Sequence, residues 1–289
     1  MYPSFSRTNH ISLKCSMAVG FYCIGALDLL GLLEKKTTPT DRRLWKEWIW
    51  EQQIRAIHSL TQCPLRSEVS AKTDQLDPDS GPVRSSLRMP RKLVTGLQTY
   101  EGGYGQDPFC EASGGPTYIA LASLHLATRD TGSPLTSSER HRSIHWLVHN
   151  QEDSGGFRGR TGKTADACYS FWCGAGLKVH SGSARTAPET YAPCHLQLLG
   201  ASDLVDAESH ASFIASCQFK FGGICKFPGE TPDPYHTYLA MASLALYPPS
   251  VDISVAASWK IAPIDALLNA TEDTVRWIRH HVPAPRTVG

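Results

Sequence analysis

The sequence predicts an all-α fold, a solenoid or closed ring of stacked helical hairpins. Three observations predict it. A Gln, a short spacer and a Gly-Gly pair occur together in LQTYEGGYGQ (97–106), NQEDSGGFRG (150–159) and CQFKFGGICK (217–226). Each copy is followed by an apolar helix rich in small residues: GPTYIALASLHLAT, ADACYSFWCGAGLKV and PYHTYLAMASLALY. Alanines in these helices, among them Ala120, Ala122, Ala240, Ala242 and Ala245, allow neighbouring helices to approach closely. A repeat of this length, two helices and a glycine turn, buries its apolar faces only by stacking on its neighbours.

The elements follow in chain order. MAVGFYCIGALDLLGLL (17–33) is shorter than a bilayer span usually needs and contains Asp28, so it predicts a buried helix rather than a transmembrane one. Arg7 and Lys14 ahead of it could also imitate a signal peptide, and the downstream recurrence of similar runs favours the buried helix. WIWEQQ (48–53) is a weaker echo of the repeat, without glycines. Residues 62–95 are rich in Pro, Ser, Asp and Arg, have no sustained period, and predict an irregular loop. The glycines of the three turns permit positive φ where an outer helix ends and the chain turns inward. Residues 180–193 predict an insertion between helices, and the tail 280–289 a frayed end. The expected organisation is one domain over 1–289.

Composition narrows the function classes. Of the 289 residues 41% are hydrophobic and 19% charged, as in an ordinary globular chain. A net charge of +1 gives no global field for nucleic acid or an anionic membrane, so any anion site must be local. The nine cysteines include no CxxC pair and lie mostly in apolar runs, which points to free thiols in a reducing, cytoplasmic setting.

Residues 159–172, GRTGKTADACYSFW, concentrate unusual chemistry. Asp166 and Cys168 could supply two ligands of a zinc ion, which takes Cys, His and carboxylate donors and leaves one position open at a catalytic site. His236 opens the next repeat's helix as Asp166 and Cys168 open theirs, and equivalent positions of adjacent repeats stack side by side. From spacing alone, the same residues equally describe a helix cap, a core thiol and a satisfied His. Arg160 and Lys163 are either solvated loop charges or a guanidinium fork and an ammonium for phosphate. Tyr169 and Trp172 are either core or the wall of an apolar site.

GFRGRTGKTADACYSFW (156–172) closely resembles the signature of protein prenyltransferase β subunits. GGPTYIALASL and DPYHTYLAMASLAL resemble two further helices of that family, and the Gln…Gly-Gly turns resemble its repeats. The resemblance covers about 96–247, is looser over 7–53, and fails over 62–95, where two helical hairpins of the family would stand. It implies an α/α barrel (toroid) around an apolar funnel and a heterodimer with a prenyltransferase α subunit. It implies a zinc ion on Asp166, Cys168 and His236, a diphosphate contacted by Arg160, Lys163 and Tyr169, and an isoprenoid tunnel lined by Trp172. The implied reaction moves an isoprenoid from its diphosphate to the Cys of a C-terminal CaaX motif, as on small GTPases. Lys226, ten residues before His236, resembles the lysine that type I geranylgeranyltransferases carry where farnesyltransferases carry a Mg²⁺-binding Asp. That implies geranylgeranyl diphosphate as co-substrate, a CaaL preference and no need for Mg²⁺. The alternatives are a farnesyltransferase β subunit, or a shortened isoform, catalytically weak, that only binds the α subunit. Ser113 stands where the family has a diphosphate-binding His.

Overall fold

The computed structural model describes residues 10–49, 94–127, 135–180, 201–250 and 259–281. The chain opens with α1 (His10–Leu29), a short α2 (Leu33–Lys36) and α3 (39–49). α3 starts in a reciprocal cap: the Asp41 amide donates to Thr38 Oγ1 at 3.1 Å, and the Thr38 amide donates to the Asp41 carboxylate at 2.8 Å. The three repeat helices follow as predicted: α4 (Gly114–Ala127), α6 (Ala167–His180) and α8 (Pro234–Leu246). Two outer helices alternate with them, α5 (Ser137–Val148) and α7 (Ala207–Ser216). Thr136 and Glu139 cap α5 reciprocally, and Asp206 caps α7.

Four of the described helices pack side by side as an inner wall in the spatial order α4, α6, α8, α1. The first helix of the chain thus lies beside the last repeat helix, as a ring requires. Gly25 makes that approach possible: a Cβ there would sit 2.5 Å from the Tyr238 ring. Tyr22 packs edge-on against Tyr235, and Phe21 against Tyr238. No described helix is long and apolar enough to cross a membrane.

The Gly-Gly turns repeat atom for atom. The amides of Thr99, Glu152 and Phe219 donate to the carbonyls of Gly103, Gly156 and Gly223 at 2.8–2.9 Å, and Gly102, Gly155 and Gly222 have φ of 108°, 85° and 101°. The glutamines of the first two turns fasten those turns to the next outer helix. Gln98 donates to the Glu139 carbonyl at 2.9 Å, and Gln151 donates to the Asp206 carbonyl at 2.9 Å while accepting from the Asp206 amide at 3.0 Å.

The C-terminal segment adds what the sequence did not announce. A two-stranded hairpin, β1 (Ile264–Asp265) with β2 (Ala270–Thr271), precedes α9 (Glu272–His281). Tyr118 of α4 donates to the Ala266 carbonyl at 2.9 Å, and Tyr238 of α8 donates to the Asn269 carbonyl at 2.8 Å. Thr271 donates to Asp28 of α1 at 2.7 Å. The hairpin therefore ties three inner helices together. α9 carries helix through His281, two residues into the segment expected to fray. The expected loop lies outside the described residues except for Val94 and Thr95, which are helical, and the expected insertion lies outside them except for His180, the last residue of α6.

His210 on α7 gives the fold an acid limit. It is wholly buried, its Nε2 lies 3.0 Å from Ser243 Oγ, and burial pushes its pKa down to about 4. The unfolded chain holds this proton up to about pH 6.5, so between about pH 6.5 and about 4 unfolding takes up a proton and stability falls with pH. The expected loss attributable to His210 is about 3 kcal/mol across that window. Urea unfolding at a series of pH values should show a shallower acid slope in His210→Gln than in the wild type. Parallel slopes would contradict it.

Candidate active site

The start of α6 and the start of α8 meet at the centre of the repeat region. The Ala167 amide donates to the Lys226 carbonyl at 2.8 Å, which locks the loop before α8 onto the first turn of α6. Asp233 caps α8, accepting from the His236 amide at 2.9 Å, and Pro234 occupies the first turn, where its missing N–H has no consequence. These two helix starts bring Asp166, Cys168 and His236 together, with all three ligand atoms within 4.8 Å of one another. The spatial adjacency expected from the repeats is present.

Asp166 and Cys168 are buried. The Asp166 carboxylate accepts from the Cys168 amide at 3.0 Å and lies 3.4 Å from His236 Nε2. Asp233 holds the other imidazole nitrogen, Nδ1, at 2.5 Å. This carboxylate–imidazole pair turns Nε2 toward the cluster, the arrangement by which proteins orient a metal-binding His. Burial opposes the charged form of His236, but its bonds to Asp166 and Asp233 outweigh that and raise its pKa. Burial likewise works against the Asp166 carboxylate, and the His236 and Cys168 bonds prevail and lower its pKa. Burial, reinforced by the Asp166 charge, pushes the Cys168 thiol far up.

The donor set fits zinc. One thiol, one imidazole and one carboxylate leave a fourth position open, as in catalytic zinc sites. Tetrahedral coordination needs ligand atoms roughly 3.4–3.6 Å apart. The Asp166–His236 separation of 3.4 Å meets this, and the widest separation of 4.8 Å needs only a small contraction. A dication would also offset the two negative ligands that burial otherwise disfavours.

The cations stand around this cluster. Lys226 Nζ lies 3.8 Å from Asp166 Oδ2 with half its side chain exposed. Arg160 is paired with Glu111, which the sequence did not single out. Lys163 is exposed in the same loop as Arg160. Tyr169 packs so closely on Gly159 that a Cβ there would meet its ring at 2.1 Å. Burial raises its pKa, and a hydrogen bond from Ser113 opposes the rise. Trp172 donates to the Tyr235 hydroxyl at 2.9 Å and lies against Tyr118, ring centroids 5.4 Å apart. With Tyr22 on Tyr235, these rings make a row of aromatic contacts from α4 to α1, which meets the cluster where Tyr235 packs on His236.

Two residues of this site escaped the sequence. Asp233 carried a signal, an Asp three residues before the His in a Pro-marked helix start. Glu111 carried none.

The prenyltransferase α/α toroid domain matches residues 6–81 and 82–270. The geranylgeranyl transferase type-1 subunit beta of Arabidopsis thaliana is 36% identical over 178 residues, 59% of this chain and 41% of that protein. The protein of the same name from Dictyostelium discoideum is 38% identical over 149 residues, 51% of this chain and 35% of that one. The Schizosaccharomyces pombe protein farnesyltransferase subunit beta is 32% identical over 150 residues, 51% of this chain and 36% of that one. The chain thus matches about two fifths of the length of these relatives. Among solved structures, Candida albicans protein geranylgeranyltransferase-I complexed with GGPP shares the fold at a TM-score of 0.53 and 24% identity, over 67% of this chain and 50% of that one. Repeats, inner wall and family match agree: the chain belongs to the prenyltransferase α/α toroid family.

Proposed function

We propose that this chain acts as the β subunit of a zinc-dependent protein geranylgeranyltransferase of type I. The observation that carries the proposal is the Asp166–Cys168–His236 cluster, which touches the aromatic wall where His236 meets Tyr235. Zinc held by these three residues would supply the Lewis acidity that keeps a substrate thiol as thiolate near neutral pH. The thiol belongs to the Cys of a CaaX, preferably CaaL, tail on a protein such as a small GTPase. Arg160, Lys163 and Tyr169 would hold the diphosphate and stabilise the charge of departing pyrophosphate. Arg160 must exchange Glu111 for the diphosphate to do so. Trp172 would orient the isoprenoid along the wall. The partner is a prenyltransferase α subunit, and the setting is the cytoplasm, where the zinc-binding Cys168 and the free thiols of Cys23, Cys110, Cys173, Cys217 and Cys225 stay reduced.

Lys226 favours the type I assignment. Its ammonium, 3.8 Å from Asp166 Oδ2, would supply beside the zinc ligands a positive charge that a diffusible cation would otherwise have to provide. With the α subunit co-expressed, wild type is expected to transfer a twenty-carbon group to a peptide ending Cys-a-a-Leu in a single turnover without Mg²⁺. Lys226→Asp should transfer at least about tenfold more slowly, and about millimolar Mg²⁺ should restore part of the rate. Equal rates in all four conditions would discard Lys226 as a metal surrogate. A wild-type requirement for Mg²⁺, or preference for the fifteen-carbon donor, would move the assignment to farnesyltransferase.

A second reading is a subunit that binds the α partner without transferring. The Arg160–Glu111 pair and Ser113 in place of a cation both favour it. Co-purification with the α subunit and no transfer would select it.

A further inference from the structure

The outer helix α5 and its C-cap carry three exposed histidines one turn apart: His141 and His145 in the helix and His149 at the cap. The last two are already arranged as a pair. The rings of His145 and His149 stack with centroids 4.0 Å apart and planes inclined by 25°. His149 Nδ1 lies 2.8 Å from the His145 carbonyl oxygen. A carbonyl only accepts, so Nδ1 carries the proton and donates, and the lone pair of His149 is on Nε2, at the outer edge of the ring. The His145 ring is exposed and lies against the His149 ring. Its ring nitrogens have no hydrogen bond to any described residue.

We propose that His145 and His149 form a second metal site, for one divalent late-transition-metal ion bound through imidazole. Two His four residues apart on a helix face present their nitrogens to one ion without disturbing the backbone. Two imidazoles on one such ion are separated by roughly 3 Å, so the stacked rings need only rotate about their own side-chain bonds. The donor type selects copper, nickel and zinc over magnesium and calcium, with copper(II) strongest and nickel(II) next. The ion would join the last turn of α5 to its C-cap, on the helix whose Glu139 carbonyl holds Gln98 and whose Trp146 and Leu147 enter the core. Binding there would therefore stabilise the outer wall, and it is independent of the proposed transfer reaction.

Nickel(II) is the suitable probe because it leaves the free thiols unoxidised. The full chain, without a polyhistidine tag and with the Asp166 cluster preloaded with zinc, is titrated by calorimetry and by thermal unfolding. One nickel ion is expected to bind with a dissociation constant of roughly tens of micromolar and to raise the unfolding temperature. His145→Gln and His149→Gln should each weaken that binding by about tenfold or more and remove the thermal shift, whereas His281→Gln should leave both unchanged. The two side chains are exposed, so the variants' unfolding without metal should match wild type. Undiminished nickel affinity in both variants, or equal loss in His281→Gln, would overturn the site.

Discussion

Cys168→Ala and His236→Ala are each expected to remove zinc from the purified protein, from about one ion per chain to none after dialysis. The expectation rests on how few donors there are. Three protein ligands converge within 4.8 Å, so losing one leaves a two-ligand site. Structural zinc sites bind with roughly 10–16 kcal/mol spread over four ligands, so one ligand is worth on the order of a hundredfold or several hundredfold in affinity. Asp233→Asn refines the test. The amide oxygen can still accept from the His236 amide and cap α8, but the carboxylate that holds Nδ1 is gone. Zinc affinity should fall by about 10–100-fold while helix content stays the same. Elemental analysis and competition with a chromogenic chelator read both effects. Full zinc retention in Cys168→Ala and His236→Ala would return these residues to the alternative the sequence left open, a cap, a core thiol and a satisfied His.

Local chemistry made the repeats and half the site legible. Gln, Gly-Gly and a small-residue helix recur because each turn needs a positive φ, a side chain to reach the next outer helix and room for close packing. Those needs are written in residue types, so the hairpins could be read without coordinates. Asp166 and Cys168 were legible for the same reason, being two residues apart. His236 required an extra step, the stacking of equivalent positions in adjacent repeats. What could not be read depends on contacts between segments far apart in the chain. Glu111 meets Arg160 only because the loop before α4 lies beside the loop before α6. The hairpin at 264–271 has two-residue strands, too short for any alternation to register, and is held by tyrosines 148 and 31 residues away. Asp233 fell between these cases: its capping role was readable, its grip on the imidazole was not.

Gly155→Ala is expected to unfold or nearly unfold the chain, and Gly222→Ala is expected to be tolerated. Both glycines occupy the same place in the repeat, with φ of 85° and 101°. Alanine at either incurs the left-handed penalty, about 1–2 kcal/mol. The difference lies in what faces the new methyl. At Gly222 no described residue lies within 4 Å. At Gly155 the Cβ would sit 2.0 Å from the Ser209 carbonyl oxygen and 2.1 Å from its carbon. Those are backbone atoms of α7, so no side chain can rotate away, and the helix itself must retreat. Retreat breaks both Gln151–Asp206 hydrogen bonds and draws Ile214 and Phe213 away from the core they share with Ala167 and Ala240. Two lost hydrogen bonds, partial exposure of apolar surface and the φ penalty together exceed about 4 kcal/mol, a large fraction of a typical domain's stability. Urea unfolding of the two variants against wild type measures the contrast directly. Equal destabilisation would mean that φ alone governs these turns, and that the outer helix is not fastened through the glycine contact.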